Sequence, residues 1–142
     1  MQLNPYLNFD GNAEEAFNFY KKIFGGEFTS LMRFSDMPEG EDKPVEEEAN
    51  RIMHIALPIG DTSILMASDI SSANGMQLIE GNNNYITISP DSLEETERLY
   101  EQLSEGGNIE MPLQKMFWGS YFASFKDKFG IEWMIDYAES TS

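Results

Sequence analysis

Apolar and polar positions follow one order twice along this chain, with a period of about 80 residues. Asn4-Pro5-Tyr6-Leu7-Asn8-Phe9 has strand character and Asp10-Gly11-Asn12 makes a turn. Ala16, Phe17, Tyr20, Ile23 and Phe24 then recur at helical spacing, which predicts a helix over Ala13–Phe24 with one apolar face. Asn12 is its expected N-cap, with Glu15 at the capping-box position, and Gly25-Gly26 its stop. The order returns in Asn84–Ser89 as a strand, Pro90-Asp91-Ser92 as turn and cap, and Leu93–Ser104 as a helix. That helix has Glu95 at the capping-box position, an inner stripe of Leu93, Thr96, Leu99, Tyr100 and Leu103, and Gly106-Gly107 at its end. Phe19-Tyr20 recurs 80 residues on as Leu99-Tyr100, so strand, cap, helix and stop all keep register.

After each helix the pattern shifts to strands. Arg51–Ile59 and Thr62–Ser68 are joined by a Gly60-Asp61 hairpin turn, and Ser120–Phe125 and Ile131–Tyr137 by Asp127-Lys128-Phe129-Gly130. Shorter strands are expected at Glu27–Phe34 and Ile109–Leu113. Each half is therefore βαβββ, with halves at about residues 3–70 and 84–137 of one domain spanning 1–142. The stretch 36–50 holds seven acids and no aromatic, which predicts a mobile surface loop. Asp36-Met37-Pro38-Glu39-Gly40 lacks the alternating Asp/Asn ligands and the glycine at the sixth position of a calcium loop. Residues 71–83 are polar and connect the halves.

Composition narrows the function classes. The chain has no cysteine, which excludes disulfides, thiolate nucleophiles and Cys-ligated metal centres. Its 25 acids against nine bases give a net charge of −16, and no basic stripe offsets that field. Nucleic acid and anionic membranes are excluded as partners, and the charge itself is a solubilising surface. The opening Met1–Tyr6 lacks a basic region followed by an apolar stretch, so no secretory signal is expected. No apolar run is long enough to span a bilayer, and a cytoplasmic location is expected.

Met116-Phe117-Trp118-Gly119-Ser120-Tyr121-Phe122, followed by Asp127-Lys128-Phe129-Gly130-Ile131-Glu132-Trp133-Met134-Ile135, resembles the PhnB-like branch of the glyoxalase/bleomycin-resistance/dioxygenase (vicinal oxygen chelate) superfamily. Pro5–Asn12 with the following helix resembles it too. The resemblance covers about residues 3–137 and implies an α+β fold in which two βαβββ repeats form a curved mixed sheet. It also implies a homodimer. Active members hold a divalent metal through one His, Gln or Glu from each of four strands, leaving coordination sites for substrate oxygens. Carried over residue by residue, those four positions fall at Asn4, Met66, Tyr85 (Asn84 if the register slips) and Met134. The set contains neither carboxylate nor imidazole, so no metal and no other cofactor is expected.

Six residues are pocket candidates: His54, Met66, Tyr85, Trp118, Tyr121 and Met134. His54 lies on Arg51–Ile59, where strand alternation allows either face. It is a hydrogen-bonded structural residue or, since imidazole titrates near neutral pH, a pocket donor or base. Phe117, Trp118, Tyr121 and Phe122, with Trp133, either line an apolar pocket or fill the core and a dimer interface. Met66 and Met134 are core fillers that, in this fold, also soften a cavity. There is no Gly-x-Ser-x-Gly elbow, Walker loop or Gly-x-Gly-x-x-Gly fingerprint. The methyltransferase and DNA-binding labels common in this branch therefore find no support in these residues. The expected function is metal-free binding or sequestration of a small, partly aromatic molecule. The alternative is an enzyme of unassigned reaction, a lyase, isomerase or dioxygenase by the resemblance, using His54, a carboxylate such as Glu132, or a metal.

Overall fold

The computed structural model describes residues 1–38 and 46–139. The chain divides into two compact units, Met1–Ile79 and Glu80–Ser142. Each holds one βαβββ repeat, so the fold is α+β as the pattern predicts, and each repeat forms its own four-stranded mixed sheet.

The first unit runs β1 (Tyr6–Phe9), α1 (Ala13–Phe24), β2 (Ser30–Arg33), β3 (Ile52–Ile59) and β4 (Ser63–Asp69), with sheet order β1-β4-β3-β2. Only β1 and β4 run parallel. Helix α1 packs its buried Ala13, Ala16, Phe17, Tyr20 and Ile23 against β3 and β4. Ile55, Leu57, Leu65 and Ala67 are all buried and lie on the face that meets the helix. β1 begins later than predicted because Pro5 has no N–H for the ladder; its carbonyl still accepts from Met66 N at 3.2 Å.

The predicted cap of α1 is corrected. Asn12 makes no side-chain cap hydrogen bond. Instead Asp69, buried at the end of β4, accepts from Gly11 N at 2.9 Å and Ala13 N at 3.0 Å through Oδ1, and from Ile52 N at 2.8 Å through Oδ2. One carboxylate thus ties the helix start to β3 and β4, a tertiary substitute for a local cap.

The acidic stretch also needs correction. Residues 39–45 lie outside the described residues, but Glu48 is buried. Its carboxylate accepts from Ser72 N at 3.2 Å and Ser72 Oγ at 2.9 Å, with Arg51 3.5 Å away. Asp36 accepts from Arg33 N at 2.8 Å. Asp36, Glu46 and Glu47 are exposed, as a surface loop requires, and among the described acids of this stretch Glu48 alone is buried.

The second unit runs β5 (Ile86–Ile88), α2 (Leu93–Ser104), β6 (Asn108–Lys115), β7 (Ser120–Lys126) and β8 (Glu132–Ala138), ordered β5-β8-β7-β6. Ser92 caps α2 by accepting from Glu95 N at 3.1 Å, as predicted. The Glu95 carboxylate does not close the box; it accepts instead from Arg98 Nε at 3.0 Å. Thr96, Leu99 and Leu103 are buried on α2, as are Ala123, Phe125, Trp133 and Ile135 on β7 and β8. The β7–β8 turn rests on buried Asp127, which accepts from Phe129 N at 2.8 Å, Ile131 N at 3.0 Å and Trp133 Nε1 at 2.8 Å. Gly130 takes a φ of +90° there, which L side chains rarely adopt. Among the described residues no helix is long and apolar enough to cross a membrane.

Candidate functional site

In each sheet one face meets the helix, and strand alternation sends every second residue to the other face. On the first sheet Met66 pairs with Tyr6 on one side and Ala56 on the other, while His54 pairs with Met32. Tyr6, Met66, Ala56 and His54 therefore share the helix-free face, which settles the alternation left open for His54. The Tyr6 hydroxyl and His54 Nδ1 are hydrogen-bonded at 3.3 Å, and the rings stack with centroids 5.8 Å apart at 26°. Asn4, before β1, accepts from Ile64 N at 3.3 Å through its side-chain oxygen. It acts as a ladder partner where Pro5 interrupts β1.

The helix-free face of the second sheet carries Met134, flanked by Thr87 on β5 and Ser124 on β7. Two residues earlier on that face is Glu132, opposite Lys126. Tyr85, just before β5, falls beside Glu132 by the same parallel register. Its hydroxyl donates to Glu110 Oε1 at 2.9 Å, which raises the phenol above its ordinary range. Glu132 is nearly enclosed, with 3% of its side chain exposed, and neither carboxylate oxygen has a hydrogen-bond partner. The nearest cation, Lys126 Nζ, stands 3.8 Å from Oε1. Burial pushes the Glu132 carboxyl above the usual range and Glu110 adds to that, while Lys126 opposes both.

Where the resemblance puts ligands, the first unit carries an amide oxygen engaged by backbone and a thioether, and the second a phenol hydrogen-bonded to a carboxylate and a thioether. Thioethers are soft, weak ligands, and a neutral phenol must lose its proton to bind a hard or borderline dication. The residues present do not fit such a metal. Among the described residues no group of three or more His, Asp or Glu is gathered as an ion site.

The other two pocket candidates sit elsewhere. Tyr121 shares alternation with Ala123 and Phe125, on the face that meets α2, and packs against Tyr137 at 6.3 Å. Trp118 lies in the β6–β7 turn, 55% exposed, with Phe117 97% exposed and edge-on to it at 4.9 Å. The reading of the sequence overlooked Tyr6, Glu110 and Lys126. Tyr6 had a signal, an aromatic at alternating spacing in the first strand. Glu110 had none, because a bulged pairing with β7 brings it in. For Glu132 the signal is an acid inside the apolar run Ile131–Ile135.

Residues 2–135 match the model of the Glyoxalase/Bleomycin resistance protein/Dioxygenase superfamily. Protein YjdN of Escherichia coli (strain K12) is 32% identical over 139 residues, covering 96% of this chain and 95% of that one. The crystal structure of protein PA1353 from Pseudomonas aeruginosa matches with a TM-score of 0.87 and 36% identity, covering 99% of both chains. A PhnB protein from Bacillus cereus shares the fold at a TM-score of 0.77 and 23% identity, over 97% of this chain and 100% of its own.

Proposed function

Because this chain belongs to the glyoxalase/bleomycin resistance protein/dioxygenase superfamily but carries Asn4, Met66, Tyr85 and Met134 where the resemblance puts metal ligands, we propose that it binds a small, partly aromatic molecule without a metal. The observation that carries this reading is the donor set itself: one engaged amide, one phenol bonded to Glu110, and two thioethers. The stacked Tyr6–His54 pair beside Met66 supplies a flat, polarisable surface suited to a ring, with hydrogen-bonding atoms at its edge. Self-pairing into a homodimer and residence in the cytoplasm belong to the same proposal.

Metal analysis of the purified protein, with melting curves titrated with Ni, Zn, Fe(II) and Mn, tests the reading. Binding to the native state raises the midpoint. The expected result is no stoichiometric metal and no shift at low micromolar ion. A stoichiometric ion would overturn the proposal and favour lyase, isomerase or oxygenase chemistry. His54→Asn is expected to weaken binding of flat aromatic probes; unchanged affinity would return His54 to a structural role.

A further inference from the structure

We propose that Tyr85, Glu110, Lys126 and Glu132 form a subsite for a cationic nitrogen of the ligand, an ammonium or amidinium group. The inference rests on the small-molecule-binding reading and specifies the chemistry of the molecule bound.

The starting point is Glu132. An ionised carboxylate only accepts hydrogen bonds and offers about four lone-pair directions. Glu132 is nearly enclosed, and none of those directions meets a donor. A buried acceptor in that state destabilises the protein unless something supplies the donors. Each neighbouring element is accounted for. On β7, Lys126 stands at 3.8 Å, too far for a hydrogen bond. On β6, Glu110 is another acceptor. Before β5, Tyr85 gives its proton to Glu110 rather than to Glu132. The cluster therefore sets two carboxyls against one ammonium, whose N–H groups stop short of hydrogen-bond distance to Glu132.

A ligand cation meets both deficits. An amidinium presents two parallel N–H groups that match a carboxylate bidentately, and an ammonium presents three donors. An anionic ligand group would add a third negative charge and is disfavoured. The −16 net charge of the chain also attracts cations over distance. Both Glu132 oxygens are sealed from solvent, so a ligand cation would reach them as the partly covered Tyr85 and Lys126 side chains give way. Further along the same face come Thr87, Met134 and Ser124, so a charged head at Glu132 would lay its body on a thioether between two hydroxyls.

Benzamidine, its neutral isostere benzamide and the anion benzoate, titrated calorimetrically into wild type, Glu132→Gln and Lys126→Met, test the assignment. Wild type is expected to prefer benzamidine over benzamide by about tenfold, with benzoate weakest. E132Q is expected to lose that preference while holding benzamide within about twofold. K126M, which removes the competing ammonium, is expected to tighten benzamidine. E132Q binding benzamidine as wild type does, or wild type binding benzamide equally well, would overturn the cation subsite and leave the aromatic-binding reading standing. If none of the three probes binds wild type, both fall. K126M gives an independent result should E132Q be disturbed, and melting curves of each variant report its folding.

Discussion

At the scale of single residues, the acids of this chain are not interchangeable, and two of them give stability opposite pH dependences. Arg33 holds Glu14 in a two-pronged pair at 2.8 and 3.0 Å, so the Glu14 carboxyl lies below its ordinary range. That contribution is complete above the unfolded value and is lost as pH falls through the folded one. It is small, because both side chains are partly exposed. Glu132 runs the other way. Enclosure, and then Glu110, raise its folded value, so its contribution is complete below the unfolded value and is lost as pH rises through the folded one. Glu132→Gln removes the penalty of the ionised form. It is expected to stabilise the free protein by about 1–3 kcal/mol at alkaline pH, a gain that vanishes below the ordinary glutamate range. Urea midpoints of both proteins from acid to alkaline pH check this; a difference independent of pH would contradict it.

At the scale of elements, helices were more legible than their anchors. Ala13–Phe24 and Leu93–Ser104 have the bounds that apolar spacing and the Gly-Gly stops predict, because those signals are local. The Ser92 cap was legible for the same reason. The cap of α1 was not, because Asp69 arrives from β4, more than fifty residues away in sequence. β6 extends beyond the predicted Ile109–Leu113 at both ends because it is exposed at every position but Leu113 and pairing with β7, not burial, makes it a strand. In the candidate site the residue types at Asn4, Met66, Tyr85 and Met134 were legible in the sequence, whereas the Tyr6–His54 pair and the Glu110–Tyr85 bond depend on register. The capping difference is testable. Asp69→Ala strands the N–H groups of Gly11, Ala13 and Ile52 and is expected to cost about 2–4 kcal/mol, while Asn12→Ala costs less than about 0.5 kcal/mol. Denaturation midpoints decide between them, and equal losses would restore the local cap.

At the scale of the whole molecule, the proposed homodimer must form between two bodies that each carry a charge of −16. The edge strand β6 is a poor place to start, because Pro112 lacks a ladder donor and Glu110 and Lys115 put charges along it. The β6–β7 turn is better. Phe117 and Trp118 stand exposed there as an edge-to-face pair, the kind of aromatic anchor on which association energy concentrates. Like charge opposes that contact over a distance set by salt, since the Debye length shrinks from about 30 Å at 0.01 M to about 8 Å at 0.15 M. Light scattering at micromolar protein is therefore expected to give a two-chain mass at physiological ionic strength and a shift toward monomer at low salt. Trp118→Ser is expected to weaken pairing about tenfold or more while leaving the melting curve of the monomer unchanged. A single-chain mass at physiological salt would remove the dimer from the proposal. A dimer indifferent to Trp118→Ser would keep it but move the interface away from this turn.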